Sequence, residues 1–159
     1  MMRGPIVGAL ILAVSGPGTG LAQSTLPDTI ARCGGVNAAI PDDWSEVTFD
    51  GVALRVPRGF KASGRIVGVD HGGQEWVRGR AAVDAIRGFY YLGSFASGGG
   101  TRCVAEVRGH QVLLIEQVSA GKVSLLAWYP SFGPVFHASS DRAKDLQMLR
   151  KVLLSASAR

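Results

Sequence analysis

The segment from Cys103 to Tyr129, CVAEVRGHQVLLIEQVSAGKVSLLAWY, contains three runs that are rich in apolar and β-branched residues. Gly109-His110 lies between the first and second runs, and Ala120-Gly121 lies between the second and third. Short turn signals between such runs are typical of β-hairpins. The segment therefore predicts an antiparallel meander of three strands, with Cys103 at the beginning of the first strand.

The second run of this meander is apolar on both faces. Successive side chains of a strand point to opposite sides of the sheet, so Val112 and Leu114 face one side while Leu113 and Ile115 face the other. Apolar side chains on both faces are typical of a central strand that other elements cover on both sides. We therefore expect both faces of this strand to be buried.

A hairpin is predicted upstream, where the runs SEVTF and VALRV flank Asp50-Gly51. An Asp-Gly pair between alternating runs is the strongest short-range hairpin signal. Pairing Phe49 with Val52 places the apolar side chains of both strands on one face. The same register sets Glu46 opposite Arg55 as a cross-strand ion pair.

The block between residues 65 and 91 can be interpreted in two ways. His71-Gly72-Gly73 indicates a turn between a run at residues 65–70 and a run at residues 75–78. The apolar spacing in residues 80–91 fits a helix, but Gly88 interrupts it and Phe89-Tyr90-Tyr91 favours a strand. We predict a strand here and keep the helix as the alternative.

The chain ends in SSDRAKDLQMLRKVLLSASAR, which has the spacing of an amphipathic helix with Ser139 or Ser140 as its cap. One face of this helix carries Leu146, Leu149, Val152 and Leu153. The elements together predict an α+β fold: an antiparallel sheet of about five to seven strands covered by the C-terminal helix. We expect residues 44–159 to form a single domain, preceded by an irregular lead-in at residues 23–43.

The first residues, MMRGPIVGALILAVSGPGTGLAQS, have the layout of a secretory signal peptide. One Arg precedes an apolar run from Ile6 to Val14, and small residues precede a plausible cleavage site after Ala22. The run is too short for a membrane span, which needs roughly 20 apolar residues. We predict a signal peptide at residues 1–22, a periplasmic or secreted protein, and no membrane span.

The two cysteines, Cys33 and Cys103, are expected to form a disulfide, because an exported protein folds in an oxidising compartment. The alternative is that Cys103 is a catalytic thiol, which requires a neighbouring base that lowers its pKa.

The formal net charge of +5 is spread along the chain and does not form a basic stripe. Nucleic-acid binding requires basic residues clustered on one face, so we do not expect it. Gly98 to Gly100 lead into a strand, whereas a phosphate-binding loop leads into a helix. We assign no catalytic residue, no metal and no cofactor, and expect a non-enzymatic binding or accessory module of the cell envelope with a protein or small-ligand partner.

Aromatic and arginine residues are concentrated between residues 76 and 91, a combination that is enriched at binding hot spots. We predict a binding role for Trp76, Arg78, Arg80 and Tyr90, the alternative being that the aromatic residues belong to the core. A different interpretation is a small hydrolase or metal-dependent enzyme that uses His71 with Asp70 or Glu75.

The order of elements resembles a known family. A hairpin that ends in Pro-x-Gly-Phe at residues 57–60, a meander, and the terminal helix DRAKDLQMLRKVLLS are similar to the PsbP-like fold of the photosystem II extrinsic subunit and related exported bacterial proteins. The resemblance covers about Val47 to Ser155. It implies an antiparallel sheet flanked by a helix, in a small exported domain without a shared active site.

Overall fold

The computed structural model describes residue 26 and residues 30–34, 39–68, 71–87 and 100–159. The predicted signal peptide lies outside the described residues. The described residues form ten strands, one 3-10 turn and one helix, in this chain order: β1 (Ser45–Phe49), β2 (Val52–Val56), β3 (Lys61–Val67), β4 (Gly72–Arg78), β5 (Ala81–Arg87), β6 (Thr101–Val107), β7 (His110–Ser119), β8 (Lys122–Trp128), β9 (Val135–Ser140), a 3-10 turn (Ala143–Asp145), α1 (Leu146–Leu153) and β10 (Ser157–Ala158).

Within the described residues, the strands form two antiparallel sheets. The larger sheet has seven strands in the order β3-β4-β5-β9-β8-β7-β6, and the smaller has three in the order β1-β2-β10. The prediction of an antiparallel sheet with a C-terminal helix is confirmed. The separate small sheet was not predicted; it consists of the β1-β2 hairpin and β10, whose Ser157 and Ala158 pair with Ala53 and Val52 of β2.

Three tight turns set the register of the hairpins. In Asp50-Gly51, Arg108-Gly109 and Ala120-Gly121, both residues have positive φ angles of 50° to 79°. Two successive positive φ angles are required by the type I′ turn, whose twist matches that of paired strands. The first turn of the meander therefore lies at Arg108-Gly109, one residue before the predicted position, and His110 already begins β7.

The β1-β2 register is the predicted one, with Phe49 opposite Val52 and Glu46 opposite Arg55. The predicted side-chain ion pair does not form. Glu46 pairs instead with Arg159, and the guanidinium of Arg55 donates a hydrogen bond to the carbonyl of Trp44 at 3.3 Å.

Residues 81–87 form strand β5, so the strand interpretation is confirmed for this range, while residues 88–91 lie outside the described residues. The predicted turn residues Gly72 and Gly73 belong to β4 instead. A Cβ atom on Gly73 would lie 2.5 Å from the carbonyl oxygen of Ala85. Glycine is therefore required where β4 approaches β5.

The main core lies between the small sheet, helix α1 and the inner face of the larger sheet, defined here as the face toward α1. The predicted apolar face of the helix is confirmed, because Leu149, Val152 and Leu153 are fully buried. The hydroxyl of Tyr129 donates a hydrogen bond to the carbonyl of Leu153 at 2.9 Å. This bond joins the sheet end to the last turn of the helix.

The second run of the meander is buried on both faces, as predicted. Val112 and Leu114 of β7 belong to the main core. Ile115 faces the outer face of the larger sheet, where it packs in a second buried apolar cluster with Leu126 and Val135.

Cys33 and Cys103 form the predicted disulfide, with their Cα atoms 4.8 Å apart. Backbone hydrogen bonds of 2.9 Å and 2.8 Å join Cys33 and Ala31 to Val104 beside the bond. The lead-in is thereby attached to the edge of β6. A disulfide is compatible with an oxidising compartment. In the described part of the chain, no helix has the length and apolar character needed to cross a membrane.

Two polar contacts hold the helical segment. Arg150 of α1 donates two hydrogen bonds of 2.5 Å to the carboxylate of Glu116 on β7. Before the helix, the Ser140 hydroxyl donates to the carboxylate of Asp145 at 2.6 Å and accepts from the backbone N–H of Arg142 at 3.2 Å. The hydrogen bond from Ser140, followed by the contact with Arg142, lowers the pKa of Asp145 despite its burial.

Candidate functional site

Three polar side chains from three neighbouring strands meet on the outer face of the larger sheet. Asp84 on β5 lies directly opposite His137 on β9. Ser124 on β8 lies opposite Ser139, two residues along β9 from His137. Because side chains alternate along a strand, all three project to the same side of the sheet.

The three side chains are linked by hydrogen bonds through the imidazole. His137 Nδ1 lies 3.0 Å from Asp84 Oδ2, and His137 Nε2 lies 2.9 Å from the Ser124 hydroxyl oxygen. An ionised Asp84 only accepts hydrogen bonds, so Nδ1 carries the proton and donates it to the carboxylate. Nε2 then accepts a hydrogen bond from Ser124. This is the order of contacts of a Ser-His-Asp triad.

The carboxylate and the imidazole are largely withdrawn from solvent. The exposed fraction of the His137 side chain is 12%, and that of the Asp84 side chain is 11%. The second carboxylate oxygen of Asp84, Oδ1, is buried and has no hydrogen-bond partner among the residues that the structure describes. The bond to His137 is therefore the hydrogen bond that holds the Asp84 carboxylate, and it fixes the tautomer of the ring.

A cavity of about 480 Å³ adjoins Ser124 at the end of the outer face where β8 begins. Its volume lies in the usual range for small-ligand sites. The lining includes two cations, one carboxylate and several neutral polar groups, among them Arg80, Gln117, Lys122, Ser124, Ser139 and Asp141. Lys122 Nζ lies 3.9 Å from a carboxylate oxygen of Asp141, and both side chains are exposed.

A second cavity of about 480 Å³ lies between the β1-β2 turn and the ends of β3, β4 and β5. Arg65 and Arg87 line it, together with Asp50. Arg87 Nε donates to Asp50 at 2.7 Å, and this hydrogen bond is the main reason why the pKa of Arg87 is raised. Each cavity is lined by two cations and one carboxylate, but the carboxylate of the second cavity is hydrogen-bonded to Arg87, whereas Asp141 lies 3.9 Å from Lys122 in the cavity beside Ser124. The cations beside Ser124 are therefore more available to a ligand.

The predicted binding residues are separated by the fold. Trp76 is a core residue, only 6% exposed. Arg78 is exposed, with its guanidinium 5.9 Å from the centre of the Phe60 ring. Arg80 lines the cavity beside Ser124. Tyr90 lies outside the described residues, and the binding role of the four residues stays a prediction.

The residues of the alternative metal interpretation also occupy different places. His71 immediately precedes β4 and packs over Gly68, where a Cβ atom would lie 2.1 Å from the ring. Glu75, in the middle of β4, accepts a hydrogen bond from Ser63. Asp70 lies outside the described residues. Within the described ranges, no group of three or more His, Cys, Asp or Glu side chains could hold a metal ion.

Comparisons with known proteins found no protein-family model and no curated protein that matches the chain.

The triad of Asp84, Ser124 and His137 was not found from the sequence. A signal was present, because each residue is a polar interruption in a strand that is otherwise largely apolar: AAVDAIR, KVSLLAW and VFHASS. A polar side chain in a buried strand is a better indicator of a candidate site than an exposed apolar side chain is. The residues are 40 and 13 positions apart along the chain, however, and their meeting depends on the pairing of β5 with β9.

Proposed function

We propose that this protein is an exported module of the cell envelope, periplasmic or secreted, that binds a small anionic polar ligand. The observation that carries the proposal is the cavity beside Ser124, where Arg80 and Lys122 meet neutral hydroxyl and amide groups. Positive charge selects an anion, and the neutral hydrogen-bonding groups fix its orientation.

The charges around the cavity favour an anion over a cation. Arg80 forms no ion pair with any residue of the described ranges, so its guanidinium is available to a ligand. Lys122 is paired with Asp141 only at 3.9 Å and in solvent, where such pairs contribute little. An anionic ligand can therefore compete with Asp141 for the ammonium group.

Two features support the location in the envelope. The first residues have the layout of a cleaved leader, and Cys33 is bonded to Cys103 as expected in an oxidising compartment. We also propose that the protein is related to the PsbP-like exported proteins, whose order of elements it resembles. Mass spectrometry of the natural protein should find a chain that begins after Ala22 with both sulfurs oxidised. An intact leader or free thiols would contradict the location.

Ligand binding is tested by calorimetric titration with citrate, inorganic phosphate and glucose 6-phosphate, with glucose as the neutral reference. We expect at least one anion to bind and glucose not to bind. Arg80→Ala should weaken binding about 10- to 100-fold, since it removes a charged hydrogen-bond donor. Lys122→Ala should act in the same direction.

Arg65→Ala is the matched control, because it removes an arginine from the second cavity and leaves the first unchanged. The control should bind the anion as the unmodified protein does. Loss of binding in the control but not in Arg80→Ala would place the ligand in the second cavity. Equal binding of glucose and glucose 6-phosphate would contradict the proposal.

A further inference from the structure

We propose that Ser124 is an activated nucleophile, with His137 as its general base and Asp84 as the residue that positions His137. The inference goes beyond binding, because it assigns a chemical reactivity to one residue of the cavity. Its substrate class, a carboxylic ester that bears a negative charge, rests on the proposed function. The reactivity of Ser124 itself does not.

The hydrogen-bond geometry has the features that an activated serine requires. A nucleophile and its base must lie within about 2.6–3.2 Å, with the base oriented by a third group. The distances of 2.9 Å from Ser124 to His137 and 3.0 Å from His137 to Asp84 both meet this requirement.

The strands that carry the three residues hold them rigidly. β5, β9 and β8 are consecutive in the larger sheet, and residues 81–86 of β5 and 123–128 of β8 pair with β9 in continuous register. Sites built on strands keep their side chains in place more closely than sites built on loops. Ser124 also lines the cavity, so a substrate carbonyl can reach the hydroxyl from that side.

The burial of the Asp84 carboxylate is a second, independent observation. Its Oδ1 atom is buried without a hydrogen-bond partner in the described structure. Leaving a buried acceptor unpaired is unfavourable, and such groups in native proteins call for a functional explanation. Holding an imidazole in the tautomer that accepts a proton from Ser124 provides one.

A second serine of the chain also contacts a histidine, but without a carboxylate beside it among the described residues. Ser131 also lies 2.9 Å from a histidine nitrogen, Nδ1 of His110. No carboxylate in the described structure is hydrogen-bonded to His110, whose ring packs against Phe132. The pair of Ser131 and His110 therefore lacks the group that would orient the base, and Ser131 is expected to be unreactive.

The proposed reaction has two steps. First, Ser124 Oγ forms a bond to the carbonyl carbon while its proton passes to His137 Nε2. The bond from that carbon to the alcohol oxygen then breaks, and the alcohol leaves with the proton from His137. In the second step, water attacks the acyl-serine, His137 takes a proton from the water and returns it to Ser124, and the carboxylic acid leaves.

A positive charge lies on the same side of β8 as Ser124 and lines the same cavity. Lys122 is two residues before Ser124 on β8, so both side chains project to the same side of the strand, about 7 Å apart along it. Fixed charges aimed at a developing oxyanion are a main source of catalysis in acyl transfer.

The reactivity is tested on the purified, disulfide-bonded protein with phenylmethylsulfonyl fluoride. We expect one adduct per chain on Ser124, formed with loss of fluoride and identified by peptide mass spectrometry. Ser124→Ala should lose the adduct, and the control Ser131→Ala should keep it at the original rate. His137→Gln should slow labelling at least 100-fold, with folding checked by circular dichroism.

Asp84→Asn tests the positioning role. With p-nitrophenyl succinate as the substrate, this variant should lower kcat about 100- to 10,000-fold and leave KM nearly unchanged, because it disturbs the base and not the cavity. Arg80→Ala should raise KM instead. A merely structural role of Asp84 would lower the melting temperature without this division between kcat and KM.

The outcomes separate the two proposals. Labelling of Ser124 without preference for p-nitrophenyl succinate over the neutral p-nitrophenyl acetate would leave the nucleophile intact and contradict anion binding. Anion binding without labelling of Ser124 above the level of Ser131 would overturn the nucleophile. The hydrogen-bonded group would then serve only the stability of the sheet.

Discussion

Breaking the disulfide between Cys33 and Cys103 should lower the free energy of unfolding by about 4 kcal/mol. The bond joins residues 70 positions apart and closes a loop that contains strands β1 to β5. Closing a loop of that length removes conformational entropy from the unfolded chain, and the chain-entropy model gives about 4 kcal/mol at 25 °C. The figure is an upper one, because residual structure in the unfolded chain reduces it.

The assay is urea unfolding at neutral pH, followed by tryptophan fluorescence. It compares the oxidised protein, the same protein reduced, and the double variant Cys33→Ala, Cys103→Ala. Reduction leaves every side chain in place, so it isolates the covalent link from the packing of the two sulfur atoms. The free energy of unfolding of the double variant should be slightly lower than that of the reduced protein, since the variant also lacks the two sulfur atoms at the edge of the core.

The backbone hydrogen bonds beside the disulfide should keep the lead-in attached to β6 after reduction. The hydrogen bonds of Val104 to Cys33 and Ala31 are not covalent and should persist in the folded, reduced protein. The folded state should therefore keep its circular dichroism spectrum while its urea midpoint falls. Stabilities of the oxidised and reduced forms that agree within about 1 kcal/mol would refute the loop-closure argument.

Three further predictions concern the polar contacts of the core and helix. Tyr129→Phe removes a buried hydrogen bond to the helix and should cost about 1–2 kcal/mol in urea unfolding. Burial raises the pKa of Tyr129, so the folded protein favours the neutral phenol. The free energy of unfolding should therefore fall as pH rises above about 10, and Tyr129→Phe should lack this contribution to the pH dependence. The hydrogen bond from Ser140 is the chief reason why the pKa of Asp145 is lowered, so the ionised carboxylate should stabilise the fold above about pH 4. This stabilisation should disappear as the pH falls further, and the Asp145→Asn variant should show a smaller loss of stability in acid. Glu116→Gln should cost about 2 kcal/mol, since Arg150 keeps its charge in a half-buried place, and a loss below about 0.5 kcal/mol would contradict this reasoning.

Local patterns predicted the hairpins and the helix because their causes are local. Asp50-Gly51 alone determines the β1-β2 register, since a two-residue turn with positive φ angles leaves one way to pair the flanking strands. The apolar face of α1 follows from side-chain spacing, and the disulfide was predicted from the presence of two cysteines in a chain that we expect to be exported.

The candidate site could not be predicted because its causes are not local. Asp84 meets His137 only because β9 pairs with β5, and no pattern within either strand specifies that partner. The same pairing directs Arg80 to the cavity while Trp76, four residues earlier, faces the core. Composition placed Trp76 and Arg80 in one candidate surface, but the alternation of side chains and a turn at residues 79–80 separate them.

The position of β9 determines when the larger sheet can be completed. β9 is made last among the strands of that sheet, yet it lies between β5 and β8. Without β9, β3-β4-β5 and β6-β7-β8 have no strand to join them, and β5 and β8 each present an unpaired edge at which other chains can add. We therefore expect a nascent or truncated chain that stops before Val135 to aggregate, because the C-terminal sixth of the molecule contains the strand that covers both edges.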